Sequence, residues 1–355
     1  MKADSGSDRR RSDRNRSDRC GSEKCWSESP HKRAGRKRSI DKGERLMYEK
    51  IPIGDITRKE WLRLRKTGLG GSDAGAVCGL HPYSSAMKVF QDKTGDTVEE
   101  LDTEAVRIGH DLEQYVAERF TEATGLKVRR SHFMYRSTEH PFMIADVDRL
   151  VVGEDAGLEC KRASAYNADK WADGAIPLHY VMQCYHYMAV TGKRVWYIAA
   201  LILGRGFVYR RLDWDDGLIG ELIRTEEAFW HNHVLTGQIP PPDGSKACDE
   251  VIAKYFGSEK AGETMALSGF DGKLERRRDI LKEIAALETE KKQIEQEVKL
   301  AMGEHELARS GNYRVSWSNV DSTRLDTKRI KEEKPEIYAD YATVSHSRRF
   351  EVKAA

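Results

Sequence analysis

The spacing of apolar positions follows the helical period in the first ordered part of the chain. End signals predict helices over residues 58–66, 74–80 and 84–94, and a 3.6-residue repeat predicts another over 102–124. Thr57 and Glu60 have the spacing of a capping box before the first helix. Gly68, Gly70 and Gly71 predict a tight turn between the first two helices. This region is therefore expected to be a set of short, capped helices.

The spacing changes to the strand period after residue 125. The pattern predicts strands within residues 126–137 and 156–163, two strands separated by a break within 141–153, and an apolar strand over 194–204. Residues 206–214 are expected to form the hairpin partner of that last strand. A helix over 176–191, ending at Gly192, lies between strands and suits a crossover connection. The order indicates an α/β fold with a mixed sheet.

A long charged helix is predicted over residues 272–303. Its apolar positions have a 4-3 spacing that Lys291 interrupts, and the pattern fits either an antiparallel hairpin partner or a short coiled coil. The seam consists of Ile280, Ile284, Leu287, Ile294, Val298 and Ala301. A short strand and a helix broken at Pro335 follow it.

Charge is unevenly distributed over the 355 residues. Residues 1–45 carry 15 Lys and Arg but 8 Asp and Glu, while the rest carries 45 and 50. The N-terminal stretch has too few apolar side chains to offset its ordering entropy, so we expect a disordered basic arm at 1–45. A solvated tail is favoured over an arm that holds nucleic acid. The predicted domains are this arm, a core over 50–240 and a C-terminal region over 241–355.

Overall charge therefore gives no argument that the core binds nucleic acid, and such binding needs a local basic patch or metal cations. No stretch has the length and apolarity of a bilayer span, and the N-terminus lacks an apolar signal core. The six cysteines form no C-x-x-C pair, which argues against a zinc site. A cytoplasmic protein with free thiols and no membrane contact is expected.

The stretch ADVDRLVVGEDAGLECKRAS places charges in a pair of predicted strands. Asp148 and Glu159 would lie on adjacent strands of one hairpin, where two carboxylates repel unless a cation lies between them. Oxygen ligands suit Mg²⁺ or Mn²⁺. Lys161 shares a face with Glu159 by the period of two and could orient a water molecule. Glu113, from the preceding helix, would complete the acidic set, and Asp146 is an alternative ligand. A simple Glu159–Lys161 ion pair is the competing interpretation.

Five motifs occur in order between Arg65 and Tyr187, and together they are similar to those of the YqaJ-like viral recombinase family. This family is lambda exonuclease-like and belongs to the PD-(D/E)XK nuclease superfamily. The motifs are RKTGLGGSDAGAVCGLHPYSSAMKVFQDKTG, IGHDLEQYVAERF, ADVDRLV, LECKRAS and QCYHY. The resemblance implies a restriction-endonuclease-like core in which helices flank a central mixed β-sheet.

The resemblance also implies roles for individual residues. Glu113, Asp148 and Glu159 correspond to metal-binding acids and Lys161 to the motif lysine, all four being catalytic. The backbone carbonyl of Cys160 would also face a metal ion. Two Mg²⁺ or Mn²⁺ ions are implied in total.

Further residues of the family match outside the strands. Gln183, which the resemblance makes catalytic, and Tyr187 form its Q-x-x-x-Y pair. Arg65 and Ser72 match a pair that holds the 5′-phosphate of a DNA end, and a glycine-rich turn with free N–H groups suits that task. The P-D-G form of the family motif is replaced here by V-D-R, which ends with Arg149.

The activity implied is a metal-dependent exonuclease that degrades linear duplex DNA from 5′ to 3′. Its 3′ single strands would suit phage-type recombination with a RecT-like annealing protein, and similar proteins are trimers. The alternatives are an endonuclease, a Cas4-like end-processing enzyme, or a DNA-binding protein on the same fold that no longer cleaves. The cysteine spacing argues against an iron–sulfur Cas4 type.

Overall fold

The structure is a computed structural model that describes residues 47–96, 103–260 and 262–353. The arm predicted over residues 1–45 lies outside the described residues. No helix in these ranges has the length and apolarity needed to cross a membrane.

A five-stranded mixed sheet forms the centre of the fold, in the order β2-β5-β6-β7-β8. The long strands β6 and β7 are parallel and every other neighbouring pair is antiparallel. The bounds are Val128–Arg130 for β2, Arg149–Val151 for β5, Ala156–Ala163 for β6, Val195–Ile202 for β7 and Gly206–Asp213 for β8. Helix α5, Leu178–Thr191, connects the parallel pair and ends at Gly192 in the left-handed conformation.

A second, antiparallel sheet has the order β1-β3-β4, with bounds Tyr48–Pro52, Phe133–Ser137 and Ile144–Asp146. Residues 126–137, predicted as one strand, form β2 in the central sheet and β3 in this one. The chain returns to the central sheet at Val147 and Asp148, which is the predicted break. Asp148 therefore lies between two sheets.

Helices cover both faces of the central sheet. Helix α4, Glu104–Thr124, packs Val116 and Phe120 against Leu158 and Tyr197 on one face. On the other face α5 lies against β7, and two further helices pack on α5, namely α2, Gly71–Val77, and α6, Asp216–Phe229. Buried Cys184, Met188, Trp196 and Ile198 belong to the hydrophobic cluster of that second face. The predicted α/β class, with helices flanking a mixed sheet, is confirmed.

The first helices have the predicted positions with one shift. Helix α1, Arg58–Lys66, has the Thr57–Glu60 capping box, and α3, Ala86–Thr94, ends at Gly95. Helix α2 begins at Gly71 instead of at residue 74, because Gly70 is its N-cap and the Gly70 N–H donates to Asp73 Oδ2 at 2.9 Å.

The C-terminal part contains the predicted long helix, strand and broken helix, and adds a helix, Lys246–Tyr255, and a strand, Leu307–Ser310, which the sequence did not predict. Helix α7, Lys246–Tyr255, packs Cys248 and Val251 beside Met87 of α3. The long helix α8, Asp271–Met302, is close to its predicted bounds. It is followed by a hairpin of β9, Leu307–Ser310, with β10, Tyr313–Ser316, and then by α9, Thr327–Glu333, and α10, Pro335–Tyr341. The domain boundary at residue 240 stays a prediction.

Candidate active site

Asp148 and Glu159 meet where β5 and β6 pair. The antiparallel register places Arg149 opposite Leu158, so Asp148 comes opposite Glu159 one position further along. The Cys160 N–H donates to Asp148 Oδ2 at 2.8 Å and fixes its carboxyl group. The predicted juxtaposition of the two acids is therefore present.

Glu159 has one satisfied oxygen and one unsatisfied oxygen. Its Oε1 lies 2.5 Å from Lys161 Nζ and accepts a 2.7 Å hydrogen bond from Gln183 Nε2. Its Oε2 is buried and has no hydrogen-bond donor among the described residues. A buried carboxylate oxygen without a donor is costly, unless a cation is its partner.

Burial raises the pKa of both acids, and nearby carboxylates contribute to each shift. Burial raises the pKa of Asp148 well above its usual value, and the Glu159 and Glu113 carboxylates raise it further. Burial also raises the pKa of Glu159, although Lys161 opposes this shift. Without a bound cation, the ionised forms of both acids are therefore disfavoured.

Lys161 lies on the same face as Glu159, as the alternation predicted. Its ammonium group is in contact with Glu159 and lies 4.8 Å from the centre of the Tyr180 ring. Burial opposes the charge of Lys161, but Glu159 and Asp148 outweigh it and raise its pKa. Lys161 is thus held as a cation beside the acidic pair.

Glu113 is bound by Arg149, a contact that the sequence did not predict. Arg149 Nη1 forms an ion pair with Glu113 and donates to the carbonyl of Asp148 at 2.7 Å, while Nη2 donates to Gln114 Oε1 at 3.2 Å. The guanidinium is buried at 2 % exposure. The only sequence signal was the replacement of P-D-G by V-D-R.

Asp146 lines the same cavity as Asp148, so the choice between them as ligands stays open. The cavity measures about 150 Å³ and is also lined by Glu159, Gln183 and Tyr187. The indole N–H of Trp61 donates to Asp146 Oδ2 at 2.8 Å. Burial raises the pKa of Asp146, and the Trp61 hydrogen bond opposes the shift.

Gln183 and Tyr187 lie on successive turns of α5 and face this cavity. Gln183 Nε2 also lies 2.8 Å from the Tyr187 hydroxyl, so the amide bridges Tyr187 and Glu159. Gly71 allows α2 to approach, because a Cβ there would lie 2.6 Å from the Tyr187 ring. The glycine-rich turn is therefore required for close packing of α2 on α5.

Arg65 and Ser72, the pair predicted to bind a 5′-phosphate, are in contact, and their role stays a prediction. Arg65 Nη2 donates to Ser72 Oγ at 2.5 Å, and both residues line the cavity that holds the acids. They also line a larger neighbouring cavity of about 580 Å³, which several lysines of α1 and α3 border.

An acid lies next to this pair. Asp73 Oδ2 is 2.7 Å from the buried Lys93 Nζ, which also donates to the carbonyl of Arg65 at 2.9 Å. Burial would raise the pKa of Asp73, but Lys93 and Arg65 outweigh burial and lower it. Arg65 Nη2 also lies 3.8 Å from Asp73 Oδ1, so Arg65 and Lys93 share this acid, and two cations face one carboxylate.

A buried ion pair supports β4 from behind. His186 Nδ1 lies 2.9 Å from Glu226 Oε1, and His186 Nε2 lies 2.9 Å from the carbonyl of Ile144. A carbonyl only accepts, so Nε2 carries a hydrogen. This network anchors the strand that ends at Asp146, and no motif in the sequence indicated it.

No three His, Cys, Asp or Glu side chains within the described ranges converge as ligands of one metal ion. Glu113 is held by Arg149, whereas Asp148 and Glu159 lie opposite one another at the junction of β5 and β6. The donors nevertheless suit a hard divalent cation, since they are carboxylate oxygens and one buried oxygen has no donor. The role of the Cys160 carbonyl stays a prediction.

Comparison with known proteins identifies the family. A model of the YqaJ-like viral recombinase domain matches residues 60–194. The uncharacterized protein YqaJ of Bacillus subtilis (strain 168) is 38% identical over 303 residues, which are 84% of this chain and 95% of that protein. The chain belongs to the YqaJ-like viral recombinase family. Every residue assigned above to the acidic or phosphate site lies within the matched range.

Several solved structures are similar to this YqaJ-like chain over about half of its length. The alkaline exonuclease LHK-Exo from Laribacter hongkongensis is 21% identical, with a TM-score of 0.43, over 55% of this chain and 98% of that one. LHK-Exo in complex with dAMP is 20% identical, with a TM-score of 0.43, over 56% and 97%. A phage related exonuclease from Haemophilus somnus 129PT is 13% identical, with a TM-score of 0.37, over 50% and 99%.

Proposed function

We propose that this protein is a divalent-metal-dependent DNA exonuclease that hydrolyses one strand of linear duplex DNA from a 5′ end. The observation that carries the proposal is the buried Asp148–Glu159 pair with Lys161 beside it and one carboxylate oxygen without a donor. The same cavity is bordered by Arg65 and Ser72. Family membership supports the assignment, because the recombinase domain spans all of these residues.

Asp148 and Glu159 would hold the metal ions, with Glu113 or Asp146 as a further ligand. A bound divalent cation, Mg²⁺ or Mn²⁺, would polarise the phosphate and lower the pKa of a bound water. Glu113 would reach a cation only by loosening its pair with Arg149. We include two ions in the proposal, and a metal titration measures the number that bind.

Lys161 would act on the attacking water and on the phosphate. As an ammonium paired with Glu159 it donates hydrogen bonds and does not accept a proton. It can therefore orient a water molecule and offset the negative charge that develops on the phosphate oxygens. Gln183 would keep Glu159 in position through its amide hydrogen bond.

Arg65 and Ser72 would bind the 5′-phosphate of the DNA end. A guanidinium and a hydroxyl already in contact offer donors to phosphate oxygens at little cost in ordering. Hydrolysis would break the P–O3′ bond, release a 5′-mononucleotide and leave the next 5′-phosphate for the same pair. The 3′ strand left behind would suit a RecT-like annealing protein, and assembly as a homotrimer is included in the proposal.

The test is degradation of linear duplexes bearing a 5′-phosphate or a 5′-hydroxyl, beside a covalently closed circle, in Mg²⁺ and in EDTA. We expect loss of the linear 5′-phosphorylated DNA alone, and only with metal. Cleavage of the circle would instead show an endonuclease. Binding without cleavage would show a DNA-binding protein, and both outcomes would contradict the proposal.

Comparing alanine variants of two lysines of similar exposure separates the role of Lys161 from the general effect of removing a paired lysine. Lys161 and Lys193 are 20% and 18% exposed, and each is paired with an acid, Lys193 with Asp155. Lys161→Ala should bind DNA normally and cleave about 100-fold or more slowly. Lys193→Ala should cleave at the wild-type rate. Equal rates for the two variants would remove the role given to Lys161.

A further inference from the structure

Helix α8 is exposed to solvent along most of its length. Each residue from Ile280 to Ala301 is exposed, so no other described part of the chain covers this segment. The antiparallel hairpin partner that was one interpretation of the sequence is absent from residues 47–96, 103–260 and 262–353. The helix therefore has an apolar seam without an intramolecular partner there.

The seam has the heptad geometry of a coiled coil. Ile284, Leu287 and Ile294 are 50%, 64% and 54% exposed, which is high for such apolar side chains. With Ile284 as position a, Ile280, Leu287 and Ile294 are d positions, and the a positions that follow are Lys291 and Val298. Such a stripe is buried when another helix packs against it.

The residues that flank the seam are acidic on both sides. The g positions are Glu283, Glu290 and Glu297, and the e positions beside the last two complete heptads are Glu288 and Glu295. In coiled coils the charges at e and g select the partner. From Glu283 to Glu297 every e and g position is therefore a glutamate, and this charge specifies the helix that can pack here.

Pairing of two copies of α8 places like charges together. In a parallel dimer the g positions face the e positions of the other helix, and in an antiparallel dimer g faces g and e faces e. Each arrangement sets glutamate against glutamate. Glu283 and Glu288 do contact Arg276 at 2.8 Å and Lys291 at 2.7 Å, but exposed pairs of this kind offset little of the repulsion.

We propose that α8 is a docking helix for an amphipathic helix of another protein, one with Lys or Arg at its e and g positions. Apolar a and d side chains of that partner would cover the stripe centred on Ile284, Leu287 and Ile294. Its basic flanks would pair with the five glutamates. An acidic or amide side chain at one partner position would face Lys291 within the seam. The inference is independent of the nuclease activity.

The test uses the full-length protein and labelled peptides of three heptads with identical apolar a and d residues. One peptide has Lys at all e and g positions and the other has Glu. Fluorescence anisotropy should show binding of the Lys peptide at least about tenfold tighter than the Glu peptide, with a strong dependence on salt. Equal binding of the two peptides, or binding of neither, would overturn the proposal.

Two variants of equal charge change assign the effect to the seam flanks. The first, Glu283→Gln/Glu290→Gln/Glu297→Gln, removes three flanking charges and should weaken binding of the Lys peptide about tenfold. The second adds three positive charges on the outer face of the same helix, by Thr289→Lys/Gln293→Lys/Gln296→Lys, and should have a much smaller effect. An equal loss in both variants would refute specific flank pairing.

Sedimentation distinguishes a second copy of this chain as the occupant. Ile284→Asp/Ile294→Asp should abolish binding of the Lys peptide and leave the molar mass of the protein unchanged. A decrease in molar mass would show that the seam joins copies of this chain, which would overturn the proposal. Circular dichroism of the variant checks that the helix is retained.

Discussion

The contact between Arg149 and Glu113 leads to a prediction that stability measurements can test directly. Arg149→Met keeps most of the apolar stem of the side chain and removes the guanidinium. The wild-type group is 2% exposed, pairs with Glu113 and donates to the Asp148 carbonyl and to Gln114. Its loss leaves a carboxylate and a carbonyl oxygen without their donors.

The magnitude follows from the burial of the pair. Removing one partner of a buried ion pair costs about 3–5 kcal/mol. The Glu113 side chain is 21% exposed and can be partly hydrated, so we expect the lower end, roughly 3 kcal/mol of unfolding free energy. Arg119→Met, which breaks the exposed pair with Glu122, should cost about 1 kcal/mol or less.

Urea denaturation in EDTA measures the free energy of unfolding of both variants. Adding Glu113→Gln to Arg149→Met should recover part of the lost unfolding free energy, because a neutral amide then replaces the carboxylate that lost its partner. Equal costs for Arg149→Met and Arg119→Met would refute the reasoning. So would a double variant whose loss is the sum of the two single losses.

Two further predictions concern packing behind the site. Gly71→Ala would push a Cβ against the Tyr187 ring and should lower the free energy of unfolding by about 1–3 kcal/mol. Gly272→Ala is the control, because its Cβ would meet open space, and it should stabilise α8 by up to about 1 kcal/mol. Thermal unfolding of both variants measures the difference. Burial disfavours the charge of His186, but Glu226 outweighs it, with a smaller contribution from Asp73, and raises the pKa of His186 above its usual value. The stabilisation by this ion pair is full below about pH 6.5 and is lost as the pH rises through the raised pKa of His186. The difference in unfolding free energy between wild type and Glu226→Leu, roughly 3–5 kcal/mol, should therefore decrease as the pH is raised. A difference that stays constant with pH would contradict the assigned ion pair.

The elements that the sequence predicted well are those with local end signals. The capping box at Thr57 fixes the start of α1, and glycines at 125 and 192 end α4 and α5 in the left-handed conformation. Strands β6, β7 and β8 were also predicted, because apolar content and alternation are local properties. The contact of Glu159 with Lys161 followed from the same period of two.

The elements that the sequence missed depend on distant partners. Strand β1 exists because it pairs with β3, where Tyr48 lies opposite Ser137, a residue 89 positions further along the chain. Helix α7 depends on packing against α3. The division of residues 126–137 between two sheets depends on which strand lies beside each half. No local spacing contains that information.

The environment of Arg149 shows how local and distant effects combine at the site. Alternation along β5 places Leu150 on the face covered by α5 and Val151 on the face covered by α4. Arg149, two residues before Val151, lies on the α4 side, where Glu113 is. A basic residue next to Asp148 therefore pairs with an acid of another layer.

The positions of Arg149 and Lys161 explain why the negative charge of the acidic site is only partly compensated. Lys161 pairs with Glu159 and Arg149 pairs with Glu113, while Asp148 has no ion pair within the described part of the chain. Two side-chain cations thus face three acids, and the oxygen without a donor is on Glu159 beside Asp148. The deficit of positive charge is located at these two carboxylates. A divalent cation in the proposed reaction would bind at that point, because there its charge would offset the most repulsion.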